Sequence, residues 1–162
     1  MLRRPALLVI VALGLAPLDA QAQARVANLS CTKGPFALKL PKSYKAVRGL
    51  GAIRRDRVLK TEDHDGYTAT HRELRFNGLE LELVTFSNQP GRYALTKAII
   101  TTRNWRIGGP LRVGAPAKSA LRGLANESPR DGELEFSGAT DSVRVNLAAG
   151  RILDVEYFCQ PG

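Results

Sequence analysis

The chain has 162 residues, of which 24 are lysine or arginine and 15 are aspartate or glutamate, and its formal net charge is +9. That length fits one ordinary domain with room for a hydrophobic core. After the N-terminal segment no stretch is apolar enough to span a membrane, so we expect the mature protein to be soluble.

The N-terminus has the features of a cleaved signal peptide. Two arginines precede residues 5–18, a short apolar run, and a tail of small residues follows it. The run is shorter than the roughly 20 residues that a membrane span needs. Cleavage after Ala22 or Ala24 fits the pattern equally well. The sequence therefore predicts a signal peptide over residues 1–24 and an exported domain over residues 25–162, which is periplasmic or, as the alternative, secreted.

The charge of the mature chain favours an anionic partner. Without the signal peptide, 22 basic and 14 acidic side chains remain, which gives a net charge of +8. Candidate partners are lipopolysaccharide or phospholipid headgroups, cell-wall polymers and acidic proteins. Nucleic acid is the usual partner of a basic chain, but the export signal argues against it. Simple solubility is the alternative explanation of the charge.

Cys31 and Cys159 are the only cysteines, and they lie at opposite ends of the mature chain. In an oxidising compartment each has only the other as a partner. A catalytic thiol is disfavoured because neither residue lies in a C-x-x-C motif. A lipid anchor on Cys31 is disfavoured because Asp19 and Arg25 separate it from the apolar run. We therefore predict a disulfide that closes nearly the whole domain and contributes about 4–5 kcal/mol in the chain-entropy model.

Three sequence patterns occur twice in the same order, which indicates an internal duplication. The first is a Gly-Pro pair with a proline six residues later, the second is A-[VL]-R-G-L, and the third is x-E-L-x-F-x-G. The copies begin at Gly34 and Gly109, at Ala46 and Ala120, and at Arg72 and Gly132.

The duplication predicts an α+β fold in which two pseudo-repeated units, each a helix and a three-stranded antiparallel meander, form one domain. Repeat one covers residues 34–107 and repeat two covers residues 109–162. The helices are predicted over residues 42–50 and 117–124, between a proline and a glycine. Repeat one also carries a charged insert, residues 52–70, which is either specific to the function or a plain hairpin.

Alternation of apolar and polar residues predicts which strand side chains face the core. Leu134 and Phe136 share one such face, and so do Leu153, Val155 and Tyr157. Carboxylates alternate with them, and we expect these on the solvated face with arginines as cross-strand partners, not as acid–base pairs. The carboxylates are Glu80, Glu82, Glu133, Glu135, Asp154 and Glu156, and the arginines are Arg72, Arg75 and Arg144.

The usual catalytic motifs are missing from the sequence. Asp63, His64 and Asp65 could contribute metal ligands, but no second cluster of ligand types accompanies them, and a solvated turn explains them better. No G-x-S-x-G elbow occurs, and the P-loop-like start at Gly109 lacks the required Lys-Ser/Thr. We therefore predict a protein that is not an enzyme and has no catalytic residue, metal site or cofactor.

A short motif accompanies the predicted order of elements in each repeat. Its residues are Val113, Gly114, Leu121 and Leu124 in repeat two, and Leu40, Val47 and Leu50 in repeat one. With these residues, the order of elements resembles the β-lactamase-inhibitor-protein and BamE (SmpA/OmlA) type of envelope domain. The resemblance implies a sheet face that binds another protein. This chain departs from the BamE type because it lacks the lipid-anchor cysteine and has a second copy of the unit.

We therefore expect a non-catalytic protein-binding module of the cell envelope, similar to an inhibitor or an immunity protein. One alternative is a basic binder of envelope lipid or glycan, and another is a small hydrolase whose site the sequence does not reveal. Trp105 is as well explained by the core as by an interface. The candidate partner-binding residues are Arg54, Arg55, Arg57, His64, Tyr67 and Trp105.

Overall fold

The structure is a computed structural model that describes the backbone of residues 22–25 and all of residues 29–122 and 131–160. Its main element is one eight-stranded sheet in the order β1-β6-β7-β8-β5-β4-β3-β2. The strands are β1 (Ala22–Arg25), β2 (Arg55–His64), β3 (Tyr67–Phe76), β4 (Leu79–Phe86), β5 (Tyr93–Ile100), β6 (Gly132–Ser137), β7 (Ser142–Ala148) and β8 (Arg151–Phe158). The helices are α1 (Tyr44–Arg48) and α2 (Ala117–Ala120).

The sheet consists of two meanders that meet in its middle. Strands β2 to β5 form the first and β6 to β8 the second, and all their neighbouring strands are antiparallel. They join where β5 pairs with β8, for example at Ile99 and Glu156. Short turns connect the strands within each meander, so the pairings that depend on residues far apart in sequence are β5 with β8 and the parallel pairing of β1 with β6.

One face of the sheet carries the hydrophobic core. Alternate residues of β6 and β7, such as Leu134, Phe136 and Val145, are at most 3% exposed, as the apolar–polar alternation predicts. Tyr157 of β8 and Ile100 of β5 belong to the same core, which therefore extends across the central strands. The opposite face carries mostly polar side chains, with a few apolar ones such as Val84 and Ile99, and is called the open face below.

Two irregular segments, residues 29–54 and 101–122, pack on the core face, and together they are called the covering layer. Leu38 and Val47 from the first segment and Ile107 and Leu111 from the second are buried in the single core. The segments also bond to each other, because the Lys39 backbone N–H donates to the Ile107 carbonyl at 2.7 Å. The protein thus has two layers, a sheet and a mostly loop-built cover.

The predicted α+β fold with two helix-plus-three-strand repeats is wrong. The helices have five and four residues, and the first meander has four strands because residues 52–70, predicted as an insert, contain β2 and the start of β3. Helix α1 begins at the Ser43 N-cap and ends at Gly49, which leaves room for little more than one turn. Residues 123–124 of the second predicted helix lie outside the described residues.

A disulfide joins Cys31 and Cys159, as the cysteine count predicts, with 5.8 Å between their Cα atoms. Asp141, which is only 7% exposed, hydrogen-bonds to both of the chain segments that the disulfide joins. One carboxylate oxygen accepts from the Cys31 N–H at 2.7 Å and the other from the Gln160 N–H at 2.9 Å. A structural disulfide indicates an oxidising, exported location.

Most of the predicted signal peptide, residues 1–21, lies outside the described residues. The two predicted cleavage positions, after Ala22 and after Ala24, fall within β1, which pairs in parallel with β6. In the part of the chain that is described, no helix is long and apolar enough to cross a membrane.

Candidate interaction surfaces

The open face holds one ion-pair cluster around Glu73. This carboxylate is 3% exposed and lies on the strand next to the sheet edge. The guanidinium groups of Arg55, Arg57 and Arg75 lie 3.0–3.4 Å from its oxygens, and Arg75 also lies 2.9 Å from Glu80. Burying a carboxylate is costly unless charges pair with it, and the three arginines together offset that cost.

A second cluster on the open face surrounds Arg144. Its guanidinium lies 3.2 Å from Glu133, 3.6 Å from Glu135 and 3.9 Å from Glu156. It also lies over the ring of Phe158, 5.4 Å from the centroid. The predicted cross-strand pairing of Arg75 and Arg144 with strand carboxylates is thus confirmed, while Arg72 pairs with Asp56 at 2.6 Å.

The charges of the open face nearly cancel. By strand register, this face carries seven basic and eight acidic side chains, so it is slightly negative. The excess positive charge of the chain must therefore lie elsewhere. The basic residues are Arg55, Arg57, Lys60, Arg75, Lys97, Arg144 and Arg151, and the acidic residues are Glu62, Glu73, Glu80, Glu82, Glu133, Glu135, Asp154 and Glu156.

The covering layer holds most of that excess. Its two segments contain eleven basic residues and no aspartate or glutamate, and all eleven basic side chains are exposed. Within the described residues, Arg48 alone among them forms an ion pair, with Asp56 at 2.9 Å. The eleven are Lys33, Lys39, Lys42, Lys45, Arg48, Arg54, Arg103, Arg106, Arg112, Lys118 and Arg122.

Sequence reasoning missed this surface although its signal is present in the sequence. Each segment can be seen to lack acidic residues, but only the fold shows that both cover the same side of the sheet. Because no acidic side chain of the layer neutralises them, these cations produce a positive potential on one side of the molecule.

The hairpin of β2 and β3 brings together five of the six predicted partner-binding residues. Arg55, Arg57 and His64 lie on β2, Arg54 directly precedes it, and Tyr67 begins β3. The rings of His64 and Tyr67 stack with 4.7 Å between centroids at the end of the hairpin.

The sixth predicted residue, Trp105, lies in the covering layer and is half-buried. Its indole N–H donates to the Asn77 carbonyl at 2.8 Å, and its ring packs edge-on against Phe76. These contacts attach residues 101–107 to the β3–β4 turn and give Trp105 a structural role.

Strand β2 forms an exposed edge of the sheet, a feature that the sequence reasoning did not single out. Nine of its ten residues are exposed, and β3 is its single neighbour in the sheet. Val58 and Leu59 are 45% and 40% exposed, and with Leu153 they are the exposed large hydrophobic side chains of the described residues. The register with β3 shifts between Val58 and Lys60, which marks a β-bulge at Leu59.

The two histidines do not assemble a catalytic site in the part of the chain that is described. His71 lies on the open face, where its Nε2 hydrogen-bonds to the Glu62 carboxylate at 2.9 Å. No hydroxyl or thiol hydrogen-bonds to either imidazole there. Residues 29–122 and 131–160 also hold no group of three or more His, Cys, Asp or Glu side chains that could bind a metal ion.

The fold and the surfaces define a class of protein: a disulfide-closed, two-layer β domain with a basic cover and a nearly neutral sheet face. Comparison of the chain with protein-family models, with curated proteins and with solved structures finds no match. The resemblance to the BamE type therefore remains an expectation from the sequence.

Proposed function

We propose that this protein is an exported, non-catalytic binding module that docks on an anionic surface of the periplasm through its covering layer. The observation that supports this proposal is the asymmetry of charge: eleven exposed basic and no acidic side chains in the covering layer, against seven basic and eight acidic on the open face. A uniformly solubilising charge would have no reason to segregate in this way.

The binding surface fits a broad array of phosphate groups, as in anionic lipid headgroups, more closely than a small ligand. The basic residues are spread over both segments of the layer, and ten of the eleven form no ion pair within the described chain. Each lysine or arginine near an anionic membrane surface contributes about 1 kcal/mol. Four or five simultaneous contacts would therefore give roughly thousandfold enrichment at the surface.

Co-sedimentation with vesicles tests this function. We expect binding to phosphatidylglycerol vesicles and none to phosphatidylcholine vesicles, with release at high salt because the screening length falls to about 3 Å at 1 M. Soluble polyphosphate distinguishes a general phosphate binder, which it displaces, from a binder of membrane surfaces. Salt-insensitive binding, or equal binding to both vesicle types, would contradict the proposal.

A pair of matched variants locates the surface. Lys42→Gln with Lys45→Gln removes two cations from the covering layer, and Lys60→Gln with Lys97→Gln removes two from the sheet. We expect the first variant to bind roughly thirtyfold more weakly and the second to bind almost as the wild type does. Equal losses would mean that net charge, and not the covering layer, drives binding.

A second candidate function is the inhibitor-like binding of another protein, and the β2–β3 hairpin supports it. The hairpin carries Arg55, Arg57, His64 and Tyr67 on a strand pair at the exposed edge of the sheet. Affinity capture from envelope extract with the wild type and with a His64→Ala, Tyr67→Ala variant tests it. One stoichiometric protein that only the wild type retains is the expected result, and the recovery of none at low salt would oppose it.

A further inference from the structure

We propose that strand β2 is a homodimer interface, in which two copies of this chain pair antiparallel along their β2 edges. An exposed edge strand presents unpaired backbone groups to another strand, and β2 offers ten residues of such an edge. Its central Val58 and Leu59 are exposed hydrophobic side chains that a second copy would cover.

The charge pattern of β2 is complementary to itself when the strand is reversed. Its first half carries Arg55 and Arg57, and its second half carries Glu62 and Asp63. A twofold axis between Leu59 and Lys60 sets Arg57 of one copy opposite Glu62 of the other. Both such pairs form at once because the interface is isologous.

The bulge at Leu59 makes this pairing sterically consistent. In a regular strand residues 57 and 62 would point to opposite faces of the sheet, since side chains alternate. The extra residue between Val58 and Lys60 reverses the alternation, so Arg57 pairs across from Glu73 and Glu62 across from Ala69, both on the open face. Residues that face each other across the dimer therefore lie on the same side of the joined sheet.

One kind of like-charged pair, Asp56 opposite Asp63, also forms twice in this register, but its cost is reduced. Asp56 is already neutralised by Arg48 at 2.9 Å and Arg72 at 2.6 Å. The Asp63 carboxylate accepts a hydrogen bond from the Thr68 hydroxyl at 2.9 Å. A single strand-to-strand contact is small for a protein interface, so we expect a weak, concentration-dependent dimer.

The dimer has a consequence that rests on the proposed function. The twofold axis runs perpendicular to the sheet, so both covering layers lie on the same side of the joined sheet and can contact one flat surface together. Two linked binding surfaces raise the apparent affinity by avidity without any new contact.

Sedimentation equilibrium in the absence of vesicles tests the dimer independently of the function. We expect wild-type protein to approach twice the mass of one chain as its concentration rises. Arg57→Glu and Glu62→Arg should each weaken association roughly tenfold, because each replaces two attractive cross-strand pairs by repulsive ones. The variant that carries both substitutions should restore association, since opposite charges then face each other again in both pairs.

Two controls complete the design. Leu153→Lys, which changes the exposed hydrophobic residue of β8, should leave association unchanged. Circular dichroism melting identifies a variant that loses association only because it unfolds. A wild type that stays monomeric at the highest concentration, or a double variant that fails to recover, overturns the proposal. Vesicle binding by a monomeric single variant then shows whether the proposed function survives without the dimer.

Discussion

At the residue scale, a few buried polar groups hold the two layers together. Asp141 is the clearest case, because its two oxygens accept N–H groups from the first and last described segments of the mature domain. We expect Asp141→Ala to lower the free energy of unfolding by about 3 kcal/mol, since two hydrogen bonds to a charged group are lost. Urea denaturation measures this, with the exposed turn residue Asp65→Ala as the control. A loss no larger than that of the control would contradict the assigned role.

Tyr157 links the sheet to the covering layer through its hydroxyl, which donates to the Gly108 carbonyl at 3.2 Å. The approach is close: a Cβ at Gly108 would lie 3.1 Å from that hydroxyl and 2.9 Å from the Leu111 carbonyl oxygen. Tyr157→Phe should cost about 1 kcal/mol at neutral pH, because the Gly108 carbonyl loses one of its two donors and keeps the Leu111 N–H at 3.1 Å. Urea denaturation measures the difference, and unchanged stability would contradict this contact.

The same residue predicts a dependence of stability on alkaline pH. Burial raises the pKa of Tyr157 well above the ordinary tyrosine value of 10.0. The unfolded chain therefore loses this proton at about pH 10 while the folded protein retains it, so stability falls as the pH rises further. The urea midpoint of unfolding, measured below and above that pH, should fall more steeply with rising pH for the wild type than for Tyr157→Phe. Parallel slopes would contradict the prediction.

Leu153 shows at this scale what residue alternation cannot predict. Simple alternation along the last strand places Leu153 in the core with Val155 and Tyr157. The register between β7 and β8 shifts at Asn146 and Leu147, so Ile152 is buried instead and Leu153 is 52% exposed. Where no bulge intervenes, as at Leu134 and Phe136, alternation predicts burial correctly.

At the scale of elements, the strands of the second meander are predicted well by the sequence, while β2, predicted as part of an insert, and the length of the helices are not. A strand pattern reflects burial on one face, which alternation records directly. The duplicated A-[VL]-R-G-L pattern indicates two helices, but glycines and prolines on both sides restrict each to about one turn. Strand order was not predictable either, because the contact of β5 with β8 joins residues such as Lys97 and Phe158 that no local pattern connects.

Helix α1 illustrates how such a short element is held. An isolated turn is unstable, and Val47, which is fully buried, is its single buried residue. We expect Val47→Ala to cost about 2 kcal/mol through the cavity it leaves. Ser43→Ala, which removes the N-cap bond to the Ala46 N–H, should cost about 1 kcal/mol. Thermal unfolding compares the two, and a larger effect at Ser43 would mean that capping, not packing, holds the helix.

At the scale of the whole molecule, the main finding is a separation of charge between two layers. On the open face, arginines form ion pairs with strand carboxylates such as Glu73 and Glu133 and neutralise them. The covering layer has no carboxylates, and within the described residues ten of its eleven cations form no ion pair. The sequence predicts the net charge and an anionic partner, but the location of the binding surface depends on the fold, which sets two distant segments side by side.

Lysine footprinting on anionic vesicles tests the central claim most directly. The chain has seven lysines: Lys33, Lys39, Lys42, Lys45 and Lys118 in the covering layer, and Lys60 and Lys97 in the sheet. Mild acetylation followed by mass spectrometry, with and without phosphatidylglycerol vesicles, reports the accessibility of each. We expect vesicles to protect lysines of the covering layer and to leave Lys60 and Lys97 as reactive as before. Protection of Lys60 and Lys97 with the covering-layer lysines unprotected would contradict the account.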